Sequence, residues 1–199
     1  MLTLYHSPNS RSSRFIWLLE ELGVEHEIIY CDIKRRSGIG APDARNPHPE
    51  KRVPALSNNG ELVTEQVAIA LYLTDTFPMI GLGVPAGAVG RAAYLSWLGF
   101  YASEVDPIYN TRSLYGDRLD SMSVRDCERV VARVSTALAR GPYLLGNQFS
   151  AADILVSGPF EWDPDLVPEN TVIKEWLGKL SDRPAARRAA AKDNLAASN

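Results

Sequence analysis

A proline inside a short apolar run is the feature of this sequence that most constrains its fold. The run is Val53-Pro54-Ala55-Leu56. Because proline lacks the N–H that a central strand would donate, we expect an edge strand, a strand start or a bulge here. If the peptide bond before Pro54 is cis, the backbone of Val53 would turn outward and keep its N–H and C=O available for a ligand.

The residues that follow predict a hairpin and then a helix. Asn58-Asn59-Gly60 is a strong turn signal between two short apolar runs. The next helix is predicted to begin at Glu65-Gln66, where its first N–H groups are unpaired and carry a partial positive charge. A free strand backbone beside a helix N-terminus is suited to binding a peptide-like anion.

The first thirty or so residues predict a βαβ unit with parallel strands. Residues 2–5 read as a strand, 7–13 as a polar loop, 14–22 as an amphipathic helix that stops at Gly23, and 27–31 as a second strand. Residues 34–51 form a polar connector with at most one short helix. The predicted order is therefore β-α-β, a connector, then β-β-α.

The remainder of the chain predicts a linker and a helical region. Residues 78–88 are rich in proline and glycine and lack periodicity. A long helix over 91–114 should kink or break at Asp106-Pro107, and another should open at Ser123. Ser150 and Asp153 form a capping box before a buried helix. A last periodic stretch covers 172–180, with a final turn or two at 185–191 and a frayed tail to Asn199. We expect domains at 1–77 and 89–199, joined by 78–88.

Four motifs in this order resemble the glutathione transferase superfamily, in particular bacterial-type cytosolic members with a serine-type N-terminal loop. They are Tyr5-x-Ser7-Pro8-x-Ser10-x-x-Ser13-Arg14, Arg52-Val53-Pro54-Ala55-Leu56, Thr64-Glu65-Gln66-Val67-Ala68-Ile69, and Ser150-x-x-Asp153. The resemblance implies an α/β thioredoxin-like N-terminal domain and an all-α helical-bundle C-terminal domain. One departure is that the family usually has Glu-Ser or Asp-Ser where this chain has Glu65-Gln66.

The loop over residues 7–13 is the candidate catalytic region. Glutathione chemistry needs a thiolate, and a free thiol titrates near ~8.5, so a hydroxyl donor, a helix N-terminus and nearby cations must favour ionisation. The resemblance places Ser10 at the activating position. Asn9 and Ser12 remain alternatives, because an alignment can slip in a serine-rich loop, and each serine also suits a helix cap. The loop has no cysteine, which argues against branches that form mixed disulfides.

The resemblance also assigns the contacts of glutathione as co-substrate. The backbone of Val53, set by Pro54, would pair with the cysteinyl portion. Glu65 would bind the γ-glutamyl ammonium, and the N–H groups at Gln66 its carboxylate. Arg52 would meet the glycyl carboxylate. As alternatives, Arg52 is a solvated loop charge, and Glu65 is a first-turn acid that complements the helix dipole.

The second substrate implied by the resemblance is an apolar electrophile. Its pocket would involve residues of the long predicted helix, namely Trp97, Tyr101, Asn110 and Arg112. Core or dimer packing is the alternative for Trp97 and Tyr101, which lie one helical turn apart. No motif names the electrophile.

Charge and hydropathy give no support for nucleic-acid or membrane partners. The net charge is −3, and no apolar run approaches the ~20 residues of a membrane span. The sequence starts directly as a strand with no signal peptide, so we expect a cytoplasmic protein. His6, His26 and His48 form no metal set and are expected at the surface or in loops. Cys127 is expected to be an inert core thiol, and we expect neither a metal nor a permanently bound cofactor.

The sequence therefore predicts a glutathione transferase that stabilises the glutathione thiolate for attack on an apolar electrophile, a detoxification reaction, with a homodimer implied by the resemblance. One alternative is a binding or regulatory protein that keeps the fold without turnover. Others are glutathione-dependent peroxidase, isomerase or dehalogenase chemistry. The Ser10 loop together with Glu65 favours the enzyme.

Overall fold

The computed structural model describes residues 1–162 and 164–195. The chain divides into two compact units. The first joins Met1–Phe77 to the C-terminal segment that begins at Arg183, and the second is Pro78–Asp182. No helix within the described ranges is both long enough and apolar enough to cross a membrane.

The first unit contains a four-stranded mixed sheet. Its elements up to Phe77 are β1 (Leu2–His6), α1 (Ser13–Leu22), β2 (Glu27–Tyr30), β3 (Ala55–Asn58), β4 (Glu61–Thr64) and α2 (Gln66–Thr76). The strand order is β2-β1-β3-β4. Strand β1 pairs parallel with β2 and antiparallel with β3, and β3 pairs antiparallel with β4. This confirms the predicted thioredoxin-like order. The connector between β2 and β3 consists of turns and bends, without the short helix that the sequence allowed.

Apolar side chains from the sheet and both helices form the core of this unit. Leu4 and Leu56 are completely buried on neighbouring strands, as are Ile69 and Leu73 on α2. Helix α1 ends at Gly23, as predicted, because that glycine adopts φ 63° and its N–H bonds to the carbonyl of Leu19 at 3.0 Å.

The second unit is helical. Its helices are α3 (Arg91–Phe100), α4 (Asp106–Tyr115), α5 (Ser121–Leu138), α6 (Ala151–Ser157) and α7 (Thr171–Ser181). A π-helical turn, Tyr101–Val105, separates α3 from α4. The predicted interruption at Asp106-Pro107 therefore falls where a π turn ends. Pro107 lies in the first turn of α4, directly after the π turn, in which the N–H of Asp106 bonds to the carbonyl of Tyr101 five residues back.

Side-chain caps determine where two of these helices begin. The carboxylate of Asp120 accepts the N–H of Ser123 at 2.7 Å, so α5 starts two residues before the predicted opening at Ser123. At α6 the predicted capping box is confirmed: Ser150 and Asp153 each accept the other's backbone N–H. The N–H of Ser150 lies 3.0 Å from the Asp153 carboxylate.

Helix α8 (Pro184–Leu195) lies in the first unit, whereas the sequence placed it in a C-terminal domain covering 89–199. Helix α8 packs against α1, with Ala185 and Ala189 buried, and ion pairs reinforce the contact. Arg183 Nε pairs with Glu21 at 2.5 Å, and Arg188 Nε pairs with Glu20 at 2.6 Å. Lys192 also pairs with Glu20. The helix is longer than the predicted turn or two, and the frayed tail predicted at 196–199 lies outside the described residues.

Candidate active site

Strand register brings the predicted site segments to one end of the sheet. Ala55, the first residue of β3, pairs with Tyr5 of β1 and with Thr64 of β4. Three connections therefore leave the sheet side by side: the loop that follows β1, Val53-Pro54 before β3, and Glu65 after β4. The sequence predicted each of these segments separately, and the sheet joins them.

Ser10 and Ser12 lie in the loop between β1 and α1 and form a hydroxyl pair. Their Oγ atoms are 2.7 Å apart. Ser10 Oγ also lies 2.7 Å from the carbonyl of Ser7, to which it donates, and it accepts the N–H of Ser12 at 3.2 Å. Ser10 is partly exposed, whereas Ser12 is completely buried. Of these two predicted alternatives, Ser10 is thus the hydroxyl that a ligand in solvent can reach.

His6, the last residue of β1, lies behind the serine pair. Its Nδ1 is 2.7 Å from Ser12 Oγ, and its ring is completely buried. The expectation of a surface or loop position was wrong for His6. Strand alternation was the available signal, because residues 2, 4 and 6 of one strand share a face, and Leu2 and Leu4 are core residues.

Asp193 of α8 closes the other side of this loop. Its Oδ2 accepts the N–H of Asn9 at 3.2 Å, and its Oδ1 accepts from Ser13 Oγ at 2.9 Å and lies 2.9 Å from His6 Nε2. Burial opposes ionisation, but the contacts with His6, Ser13 and Asn9 outweigh it and hold the pKa of Asp193 below its ordinary value. The backbone donor of Asn9, the third predicted alternative, is therefore already engaged.

The segment before β3 is held by Asn46. Asn46 Nδ2 donates to the carbonyl of Arg52 at 2.9 Å, and the backbone carbonyl of Asn46 accepts from Lys51 Nζ at 2.7 Å. The Val53-Pro54 peptide bond is cis. Val53 precedes the β3 ladder, and none of the hydrogen bonds among the described residues involves its backbone. Arg52 is exposed and pairs with Glu50.

His48 supports the same segment from inside. Its Nδ1 accepts the N–H of Glu50 at 3.0 Å, and its own N–H donates to Asn46 Oδ1 at 3.0 Å. It lies in a loop, as expected, but it is buried. Burial first, and the positive charge of Arg52 second, lower the pKa of His48, while the negative charge of Glu65 opposes them. Arg52 and Glu65, two of the residues predicted to bind glutathione, thus both affect the pKa of His48.

Glu65 and Gln66 form the start of α2. Glu65 is exposed and adopts φ 67°, ψ 128°, a conformation that costs a non-glycine residue about 1–3 kcal/mol. Its carbonyl accepts the first α2 hydrogen bond, from the N–H of Ile69 at 2.9 Å. Arg14 Nη1 of α1 donates to Gln66 Oε1 at 3.3 Å. The helix N-terminus and its acidic residue therefore lie next to the Val53-Pro54 connection.

The four residues predicted for a second-substrate pocket lie in the second unit. Trp97 and Tyr101 are buried, with Trp97 packed edge-to-face on Phe100 at 5.7 Å, as the core-packing alternative describes. Asn110 is partly exposed. Arg112 lines a cavity of about 710 Å³ within this unit. Trp97 and Tyr101 are not among the residues that line this cavity.

The two thiols are buried, and burial raises the pKa of both Cys31 and Cys127. Cys127 lies on α5 in line with Val130 and Val134, which are completely buried. Within residues 1–162 and 164–195, no group of three or more His, Cys, Asp or Glu side chains is placed to hold a metal ion.

The first unit is thus a thioredoxin-like sheet with a cis-proline connection beside a helix N-terminus, and the second unit is helical. Comparison with known proteins shows which family the chain resembles. Residues 1–75 match the model of the glutathione S-transferase N-terminal domain. Glutathione S-transferase 3 of Schizosaccharomyces pombe is 27% identical to this chain, and the alignment covers 96% of this chain and 88% of the relative.

Solved structures agree with this comparison. A glutathione transferase from Methylococcus capsulatus strain Bath superposes with a TM-score of 0.83 at 28% identity, covering 98% of this chain and 100% of that chain. A sphingomonad glutathione S-transferase solved in complex with glutathione gives 0.78 at 27% identity, covering 97% and 99%. Residues 1–75 thus match the glutathione S-transferase N-terminal domain, and nearly the whole chain is similar in sequence and fold to glutathione transferases.

Proposed function

We propose that this protein is a glutathione transferase in which the hydroxyl of Ser10 stabilises the glutathione thiolate for attack on an apolar electrophile. The single observation that carries the proposal is the sheet register at Ala55, which aligns the Ser10 loop, Val53 and Glu65. A peptide thiol bound along that edge has a backbone partner, an acidic partner and a hydroxyl within one site.

The family resemblance assigns the contacts of the peptide, and this arrangement supports the assignment. The backbone of Val53 pairs with the cysteinyl portion, as an extra strand pairs with a sheet edge. The exposed carboxylate of Glu65 meets the γ-glutamyl ammonium, and the first N–H groups of α2 at Gln66 meet its carboxylate. Arg52 exchanges its pairing with Glu50 for the glycyl carboxylate.

The chemical role of the Ser10 hydroxyl is to stabilise the glutathione thiolate. A thiolate needs a donor more than a base, because free glutathione already ionises near ~8.5. A hydroxyl that donates to the sulfur anion lowers the thiol pKa without becoming charged itself. Ser10 is suited to this because it is partly exposed, and its hydroxyl can exchange its hydrogen bond to the carbonyl of Ser7 for one to the sulfur.

The proposal extends to the setting of the reaction. The second substrate is an apolar electrophile that meets helical residues from the set Trp97, Tyr101, Asn110 and Arg112, and the reaction serves detoxification in the cytoplasm. The functional protein is a homodimer. The support for these points is the family resemblance, together with the relatives named glutathione S-transferase.

The test is the ultraviolet thiolate absorbance of bound glutathione, titrated from about pH 5 to about pH 9 across the free-thiol value of ~8.5. We expect the wild type to hold the thiol pKa below that value, and Ser10→Ala to lose the shift while still binding glutathione. Ser37→Ala, an exposed serine of the β2–β3 connector, is the matched control and should behave as wild type.

Two results would redirect the proposal. A shift that survives Ser10→Ala removes Ser10 from the role and returns it to Ser12 or Asn9. A wild type that does not bind glutathione supports the alternative of a non-catalytic protein with this fold. If glutathione binds and is activated, a substrate panel separates conjugation from peroxidase, isomerase and dehalogenase chemistry.

A further inference from the structure

We propose that His6 and Asp193 are positioning residues that direct the Ser10 hydroxyl toward the thiolate, acting through Ser12. The inference rests on the proposed role of Ser10 and adds to it two residues that do not touch the substrate. It is carried by an unbroken series of polar contacts that runs from α8, through the interior of the first unit, to the exposed loop.

The series begins at a carboxylate and ends at a partly exposed hydroxyl. Asp193 Oδ1 lies 2.9 Å from His6 Nε2, His6 Nδ1 lies 2.7 Å from Ser12 Oγ, and Ser12 Oγ lies 2.7 Å from Ser10 Oγ. The first contact is a close electrostatic one rather than an aligned hydrogen bond. The two inner members, His6 and Ser12, are completely buried.

The carboxylate determines where the imidazole carries its protons. An anion beside Nε2 favours the neutral tautomer that carries its proton on Nε2. The charged ring carries a proton on both nitrogens. In the neutral ring Nδ1 is an acceptor, so Ser12 donates its proton to Nδ1. Ser10 then donates to an oxygen within the loop, either Ser12 Oγ or the carbonyl of Ser7. In the charged ring Nδ1–H donates to Ser12 and Ser12 donates to Ser10, so the Ser10 proton loses Ser12 as an acceptor and is left to a ligand outside the loop or to the carbonyl of Ser7.

The outward arrangement is the one that a thiolate selects. Each donor in it polarises the next, which strengthens the last hydrogen bond, the one from Ser10 to sulfur. Asp193 Oδ1, 2.9 Å from Nε2, is the acceptor beside the Nε2–H of that ring. Loss of that carboxylate should therefore weaken the Ser10 donor and raise the thiol pKa.

Other groups also contact the ring or the loop, among them the N–H of Ser7, which donates to Ser12 Oγ at 3.2 Å. Tyr30 of β2 packs edge-to-face on His6 at 5.5 Å between centroids, and its hydroxyl donates to the carbonyl of Lys192 at 3.2 Å. Arg35 Nη2 donates to the carbonyl of Pro8 at 2.7 Å and holds the outer side of the loop. Asp193 is the acidic side chain in contact with the ring, with Oδ1 2.9 Å from Nε2. The same oxygen also accepts from Ser13 Oγ.

Asp193 acts on the thiol in two opposing ways, and the experiment separates them. Its own negative charge repels a thiolate, so direct action alone would make Asp193→Asn lower the thiol pKa. Action through His6 and Ser12 makes the same substitution raise it. The sign of the change therefore distinguishes a positioning residue from a carboxylate that only orders the loop.

The experiment measures the pKa of bound glutathione, by thiolate absorbance, in wild type, Asp193→Asn and Arg188→Gln. Arg188→Gln is the matched control, because it breaks an ion pair between α8 and α1 without contacting the loop. We expect Asp193→Asn to raise the thiol pKa by about one unit, roughly tenfold less thiolate at low pH. The dissociation constant of glutathione and the melting temperature should match those of the control.

Ser12→Ala and the double variant Ser12→Ala/Asp193→Asn test the path. If Asp193 acts through Ser12, each single variant raises the thiol pKa and the double variant raises it no further. Additive shifts, or an Asp193→Asn shift that is absent or negative, overturn the inference while the wild type and Ser10→Ala still behave as proposed. A wild type with an unshifted thiol overturns the role of Ser10 itself, and this inference with it.

Discussion

Asp153 should make the stability of the protein fall as the pH rises. This carboxylate is completely buried at the third position of α6. It accepts hydrogen bonds from the N–H of Leu144 at 2.9 Å, the N–H of Ser150 at 3.0 Å and Trp176 Nε1 at 3.1 Å. Burial raises the pKa of Asp153 to about 6, although these donors act in the opposite direction.

The magnitude follows from proton linkage. In the unfolded chain an aspartate titrates near ~3.9, so between about pH 4 and about pH 6 the folded state holds a proton that the unfolded state has released. The stabilisation is fully present below the unfolded pKa and is lost as the pH rises through the folded pKa. Two units of pKa correspond to about 3 kcal/mol of unfolding free energy.

The assay is urea denaturation of wild type and Asp153→Asn at a series of pH values. Titrations common to both proteins cancel in the difference, which should become less favourable to wild type by about 3 kcal/mol from about pH 4 to about pH 7. Asp120→Asn is a control of opposite sign, because the Ser123 contacts lower the pKa of the exposed Asp120. Its stabilising contribution is therefore present at neutral pH and lost in acid.

One result would refute the reasoning for Asp153. If the difference between wild type and Asp153→Asn stays flat or grows with pH, the carboxylate remains ionised in the folded protein. The hydrogen-bond donors around it would then outweigh the cost of burial.

Two further substitutions test local structure in the second unit. Ser150→Ala removes one half of the capping box and should lower the unfolding free energy by about 1 kcal/mol, measured by urea denaturation; an unchanged value would show that the box contributes little. Gly141→Ala should lower the melting temperature, because an added Cβ would lie 2.6 Å from the backbone carbonyl of Gly146, whereas alanine at Gly178, which has open space, should be tolerated. Equal melting temperatures for these two alanine variants would contradict the predicted clash.

Local signals explain the parts of the fold that the sequence predicted well. Asn58-Asn59-Gly60 specified the turn between β3 and β4, Gly23 ended α1, and the Ser150 and Asp153 pair started α6. Each depends on conformational preferences or hydrogen bonds within a few residues. The same is true of Glu65, whose place at the start of α2 follows from the sequence pattern.

Contacts between distant residues explain what the sequence did not predict. The carboxylate beside His6 belongs to Asp193, which lies on a helix whose sequence is dominated by alanine and charge. Nothing within that helix indicates a partner near the N-terminus. The assignment of α8 to the first unit likewise depends on its contact with α1, where Ala185 and Ala189 are buried and Glu20 and Glu21 form ion pairs.

The contact between Asn9 and Asp193 joins positions 184 residues apart, and this separation has a consequence for how the protein matures. During synthesis the sheet and α1 emerge early, but the partner of the loop emerges only after the whole second unit. Because closing so long a loop carries a large entropic cost, the hydroxyl network of the N-terminal loop should be among the last parts of the protein to become ordered. A nascent chain would then form the sheet and α1 before the loop that carries Ser10 becomes ordered.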